Sequence, residues 1–116
     1  MTLRRLDVPK GTLDLMILKA LSGGAQHGFG VARWIHATTE GELDIDDGAL
    51  YPALHRLEDR GLIAAEWGVS DNNRRAKYYA LTSDGRRRLR VEVSEWTRFA
   101  EAMRKIVGAE PLVAVR

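Results

Sequence analysis

Hydrophobic spacing changes period twice along this chain, and the two changes restrict the fold more than any other feature. Up to Gly61 the apolar residues recur at intervals of three and four; from Leu62 to Leu81 they fall in short or alternating runs; after Thr82 the helical spacing returns. Several helices, a short ribbon and a last helix are therefore expected. Residues 46–61, Asp-Asp-Gly-Ala-Leu-Tyr-Pro-Ala-Leu-His-Arg-Leu-Glu-Asp-Arg-Gly, organise the rest. Leu50, Ala53, Leu54 and Leu57 form one buried stripe, and Gly61 stops the helix. The opposite face carries Gly48, Tyr51, Pro52, His55 and Arg56 in place of the usual Glu/Lys mixture, which suits a surface that reads another molecule. Pro52 lacks an N–H and presses on the carbonyl of Gly48, so a late or kinked first turn is expected.

Before this helix, Leu13, Met16, Ile17, Ala20 and Leu21 mark a first helical stripe, with Thr12 as its expected N-cap and Gly23-Gly24 as its stop. A second helix is expected over 28–39, with Phe29, Val31, Ala32, Trp34 and Ile35 inward; Gly28 and Gly30 weaken its first turn. Residues 41–45 read as a turn followed by a short extended piece. After the third helix, 62–67 and 76–81 are strand candidates around a polar, basic turn, 68–75. Three helices followed by a two-stranded ribbon with arginines at its tip is the winged helix-turn-helix plan, in which the third helix enters a major groove.

Thr82 offers an N-cap to the last helix, and Asp84 complements its dipole. Along that helix Leu89, Val93, Trp96, Ala100, Met103 and Val107 are spaced 4, 3, 4, 3, 4, a two-heptad seam that seeks a partner helix. A second subunit supplies it more readily than the small domain in the same chain, so a homodimer is expected. The fold class is thus α+β: an N-terminal arm over 1–9, a winged helix-turn-helix domain over 10–82, a dimerisation helix over 83–108, and a disordered tail over 109–116.

Charge supports this arrangement only through its distribution. Formal net charge is +2 over 116 residues. Residues 1–70 hold 7 Lys and Arg against 10 Asp and Glu, net −3, whereas 71–116 hold 11 against 6, net +5. A local basic stripe is what phosphate binding needs, because affinity for a polyanion comes from counterions displaced at the contact face. Charge alone fits a solvated basic patch equally well. The chain has no cysteine, which excludes disulfides and thiolate metal sites. His27, His36 and His55 share no ligand spacing, and neither a nucleophile elbow nor a phosphate loop is present. No enzyme activity, cofactor or metal is expected. Without a signal-peptide core or a membrane-length apolar run, a cytoplasmic location is expected.

Four ordered motifs then carry a resemblance. Gly11-Thr12-Leu13-Asp14-Leu15, His27-Gly28-Phe29-Gly30, the run from Gly48 to Leu57, and Arg75-Ala76-Lys77-Tyr78-Tyr79-Ala80-Leu81-Thr82 with Gly85 look like the successive motifs of PadR-type transcriptional regulators, over roughly residues 10–96. The chain resembles the short-tailed members, whose C-terminal region is one dimerisation helix. The resemblance implies a dimeric DNA-binding repressor, often released from its operator by a small molecule. It also implies that Tyr51 is a DNA-facing tyrosine and that Arg74, Arg75 and Lys77 lie on the wing.

Each candidate has a plainer alternative. Tyr51 is placed outward by its phase, against a half-buried surface ring. His55, one turn on, can donate to a phosphate or be merely exposed, and Arg56 can read guanine or pair with Asp59 or the neighbours of Arg60. Gly48 and Ala49 are small enough to let backbone approach a groove, and Pro52 shares their face. Asn73, Arg74 and Arg75 at the tip suit phosphates or a narrow minor groove, or are a solvated loop. Lys77 is a phosphate contact; Arg86, Arg87, Arg88 and Arg90 are a solvated face of the last helix, within reach of DNA flanks or a partner's carboxylates. Asp44, Asp46 and Asp47 repel phosphates, and helix capping by one of them is preferred over acceptance from a cytosine amino group. Trp96 reads first as a dimer anchor; the sharper reading is a cleft for a flat hydrophobic or aromatic effector lined by Val93, Trp96, Phe99 and Met103. Trp34 and Trp67 read as core and strand-packing residues. The rival function is a winged helix that serves protein contacts as an adaptor, which would need neither a basic wing nor an uncharged helix face.

Overall fold

The computed structural model describes residues 8–9 and 11–114. Most of the expected N-terminal arm, and positions 115–116 of the expected tail, lie outside the described residues.

The first helix, α1 (Thr12–Ala20), buries Ile17 and Leu18. Its N-cap is Gly11 at φ 89°, not Thr12, whose hydroxyl instead donates to the Pro9 carbonyl at 2.7 Å. A 3₁₀ turn, Leu21–Gly23, leads to Gly24 at φ 138°, where the chain turns away as expected. A two-residue strand follows, β1 (Gln26–His27), and then α2 (Gly28–Thr38). The Nδ1 atom of His27 accepts from the Gly30 N–H at 2.9 Å and so caps α2, compensating for the weak glycines of its first turn. Its buried stripe is Gly28, Val31 and Ile35. Phe29 and Trp34 fall off that stripe and are 62% and 40% exposed, so neither is the core residue the sequence suggested.

The next helix, α3 (Asp47–Asp59), is capped by Asp46, whose carboxylate accepts from the Ala49 N–H at 2.9 Å. Of the three carboxylates near this terminus, one is therefore a cap, as preferred. Leu50, Ala53, Leu54 and Leu57 are all fully buried. Pro52 sits inside the helix without delaying its start; Gly48 and Pro52 are both exposed, so solvent replaces the bond that the Gly48 carbonyl lacks. At the far end Gly61 adopts φ 73°, its N–H bonding the Glu58 carbonyl and the Leu62 N–H reaching back to Leu57, a Schellman closure that a side chain at Gly61 would strain.

Strands β2 (Ile63–Val69) and β3 (Arg75–Leu81) form the wing. They are antiparallel, with Trp67 opposite Lys77 and Val69 opposite Arg75. The sheet has three strands, in the order β1-β3-β2, because Gln26 and His27 pair with Tyr79 and Tyr78. The extended piece expected over 41–45 is instead a turn and irregular chain. A two-residue strand has no period to detect, which is why β1 escaped the sequence reading.

The last helix, α4 (Ser83–Val107), is 25 residues long, or about 37 Å. Only its base meets the core, through buried Gly85 and partly buried Leu89. The Cα radius of gyration is 17.5 Å, against roughly 13 Å for a compact chain of this length, because most of α4 projects from the domain. Residues 109–114 are exposed and form neither helix nor strand.

Candidate nucleic-acid interface

The pleat of the wing decides which of its residues face α3. Strand alternation puts Ala65, Trp67 and Val69 on one side with Tyr79, Lys77 and Arg75, and that side turns towards α3. Lys77 Nζ lies 3.4 Å from the Glu58 carboxylate of α3, and 5.5 Å from the ring centre of Tyr79. Tyr79 is buried at the foot of the wing, and burial raises its phenol above the ordinary range. Nearer the tip, the Arg75 guanidinium stacks 4.5 Å over the ring of Trp67. The tip itself is closed by Ser70, whose N–H bonds the Arg74 carbonyl at 2.7 Å and whose hydroxyl lies 2.6 Å from Asn72 Oδ1. Asn73 takes φ 60°, a left-handed turn position that asparagine tolerates, and Arg74 is left exposed.

Tyr51 is 40% exposed, so both readings of it are partly realised. Its ring rests on the first turn of α2: a Cβ added to Gly28 would stand 3.0 Å from Tyr51 Cε1 and 3.2 Å from its hydroxyl. Glycine at position 28 therefore makes room for the tyrosine. Between α2, α3 and the wing opens a cleft of about 520 Å³, lined by His27, Phe29, Tyr51, Trp67, Arg74, Arg75, Lys77 and Tyr79. Aromatic walls with three cations around them match the chemistry of sugar and phosphate.

The structure thus brings Tyr51, Arg74, Arg75 and Lys77 into one cleft. Gly48, Ala49, Pro52, His55 and Arg56 are exposed along α3 but outside it, and Asn73 is exposed at the tip. Arg56 does pair with a carboxylate, but the partner is Asp14 of α1 at 3.2 Å, not Asp59 or a neighbour of Arg60; Arg60 itself approaches the same Asp14 at 3.7 Å. Several lining residues were not foreseen, among them His27, Phe29 and Trp67. His27 and Phe29 reach the cleft only because β1 pairs with β3, and Trp67, expected to pack against the strands, is 58% exposed there.

The seam on α4 has the opposite surroundings. Val93, Trp96, Met103 and Val107 are 42%, 50%, 41% and 78% exposed, Ala100 is half-buried, and Leu89 is spent on its own domain. Beside it runs an apolar groove of about 320 Å³ between α1, α2 and α4, lined by Leu15, Met16, Trp34, Ile35, Val93 and Trp96 among others. Phe99 and Met103 lie farther along α4, outside the groove. On the charged faces of α4, Arg87 pairs with Asp84, Arg88 with Glu92 at 2.8 Å, and Arg104 with Glu101 at 3.0 Å.

Residues 17–91, from the middle of α1 into α4, match the transcriptional regulator PadR-like family. The chain belongs to that family. An uncharacterised protein of Lysinibacillus sphaericus is 35% identical over 98 residues, 84% of this chain and 89% of that one. A transcriptional regulator from Clostridium thermocellum superposes with a TM-score of 0.78 at 29% identity, covering 88% of this chain and 99% of that one. A PadR family transcription regulator from Clostridium difficile R20291 gives 0.73 at 28%, with 84% and 100% covered. PadR-family regulators are DNA-binding transcription factors rather than enzymes, and the four α-helices and three-stranded antiparallel sheet of the described residues are their winged-helix fold. Among the described residues no helix is long and apolar enough to cross a membrane.

Proposed function

We propose that this PadR-family chain works in the cytoplasm as a homodimeric repressor, gripping a pseudo-palindromic operator with two copies of α3 about one DNA turn, ~34 Å, apart. Residues 10–82 make the DNA-binding unit and 83–108 the dimerisation helix. Gly48, Ala49, Tyr51, Pro52, His55 and Arg56 face the major groove, while Asn73, Arg74, Arg75 and Lys77 hold phosphates. The observation that carries this reading is the convergence of Tyr51 with Arg74, Arg75 and Lys77 in one aromatic, cationic cleft beside the exposed outer face of α3. An adaptor for proteins alone has no use for such a cleft.

Dimerisation is supported by the apolar seam that the domain leaves uncovered, from Val93 to Val107. Trp96 is its natural anchor, and a flat hydrophobic or aromatic effector held against Val93, Trp96, Phe99 and Met103 would release the operator by shifting how the two copies meet. The test combines sedimentation with duplex selection from the source genome. A dimer that retains particular fragments, with affinity falling steeply as salt rises, is expected; a monomer, or salt-insensitive binding, overturns the reading.

A further inference from the structure

The motif Leu81-Thr82 with Gly85 contributes nothing to the cleft or to the seam, yet it joins the wing strand β3 to α4. Besides accepting the Arg86 N–H at its carbonyl as α4 begins, Thr82 makes three hydrogen bonds there. Its hydroxyl donates to the Gly61 carbonyl at 2.7 Å and accepts from the Gly85 N–H at 3.0 Å, while its own N–H donates to the Leu62 carbonyl at 3.1 Å. Gly61 is the left-handed closure of α3, Leu62 leads into β2, and Gly85 is the first turn of α4. One side chain therefore ties the end of the recognition helix to the start of the long helix.

Gly85 makes the tie close. It is buried, and a Cβ there would stand 2.0 Å from the Leu62 carbonyl oxygen and 3.3 Å from Leu81 Cδ2. The obstacle is backbone, so any side chain must push α4 off the domain. Because α4 is about 37 Å long, a tilt of about 10° at its base moves its far end by roughly 6 Å, close to two base-pair steps of B-DNA. A loose base would let the two reading heads wander by that distance.

We infer that Thr82, with Gly61 and Gly85, is the joint that fixes the separation of the two recognition helices, making Thr82 a positioning residue for operator spacing. This rests on the dimeric reading above. Thr82 is also the N-cap of α4, and losing a cap alone lowers only stability, whereas losing a joint has an effect on distance as well.

The test uses spin labels, since the chain has no cysteine of its own to interfere. Asp59→Cys at the exposed end of α3 puts one label on each copy, so the inter-label distance in the dimer reports the separation directly. The otherwise unchanged chain should give one narrow distance; Thr82→Val should broaden it at least twofold in width, and Thr82→Ser should restore it. Should Thr82→Val fail to fold, Gly85→Ala is measured in its place and should displace the distance. An unaltered narrow distance in a folded variant, or a distance already broad without the substitution, overturns the joint. Absence of any inter-label distance with the unchanged joint overturns the dimer itself, a separate outcome.

Discussion

Two surfaces of this protein leave large aromatic rings in water, and their neighbours differ in character: three cations line the first, and Lys19 alone lines the otherwise uncharged second. In the cleft, Phe29, Tyr51 and Trp67 stand among Arg74, Arg75 and Lys77. Along α4 and its groove, Trp34 and Trp96 stand among Leu15, Met16, Ile35 and Val93. An exposed ring by itself identifies no partner; the charges around it do. Cations beside rings favour a polyanion with sugars to pack against, whereas an apolar strip with its ion pairs kept to other faces favours a second apolar strip. Substitutions that separate the surfaces are the sharpest tests of this division.

The largest effect is expected from α4. Replacing Val93 and Trp96 together with Asp should abolish dimerisation in sedimentation while leaving the winged domain folded by circular dichroism. Affinity for the selected duplex should fall by ~100-fold or more, because each half-site is then held alone and the linked second contact is lost. Next comes the wing: Arg74→Ala with Arg75→Ala should keep the dimer but lower the salt slope of DNA binding by about 1.8, two phosphate contacts at roughly 0.9 each. If the wing variant also dissociated, or the seam variant kept its affinity, the two surfaces would not be separate in function. Tyr51→Phe should be smaller again, about fivefold, since one hydroxyl hydrogen bond contributes about 1 kcal/mol. Its thermal midpoint should not move, because the ring still rests on Gly28.

How far these surfaces were legible in the sequence follows from what each depends on. The stripes of α1, α3 and α4 repeat over several turns, so Leu54 or Leu57 could be placed inside from spacing alone, and both are fully buried. In α2 the same reasoning placed Phe29 and Trp34 inside. Hydrophobicity outweighed phase there: the true stripe is Gly28, Val31 and Ile35, and a buried glycine gives no hydrophobic signal. The cleft was half legible. Tyr51 and the wing cations were found from helix phase and charge, but His27 and Phe29 come to it through two ladder pairs, Gln26 with Tyr79 and His27 with Tyr78, which no local pattern encodes. Likewise the pairing of Arg56 with Asp14 joins α3 to α1, and only the packing of those helices brings the two charges together.

The smallest expected effect has the opposite sign, and it probes the border of the cleft. Lys77 shares its ammonium with Glu58, 3.4 Å away, and both side chains are about one-third exposed, at 30% and 33%. A pair this open contributes under ~1 kcal/mol to folding, so Glu58→Gln should leave stability nearly unchanged. For DNA the carboxylate is a competitor, because it occupies the lysine that a phosphate would use. Neutralising it should therefore strengthen binding, by about twofold at 0.1 M salt, and steepen the salt slope as Lys77 becomes fully available. Lys77→Gln in the same background should cancel the gain, since nothing would remain to be released. A gain that survives without Lys77 would trace to the lost carboxylate charge alone, and would remove Lys77 from the contacts that hold the duplex.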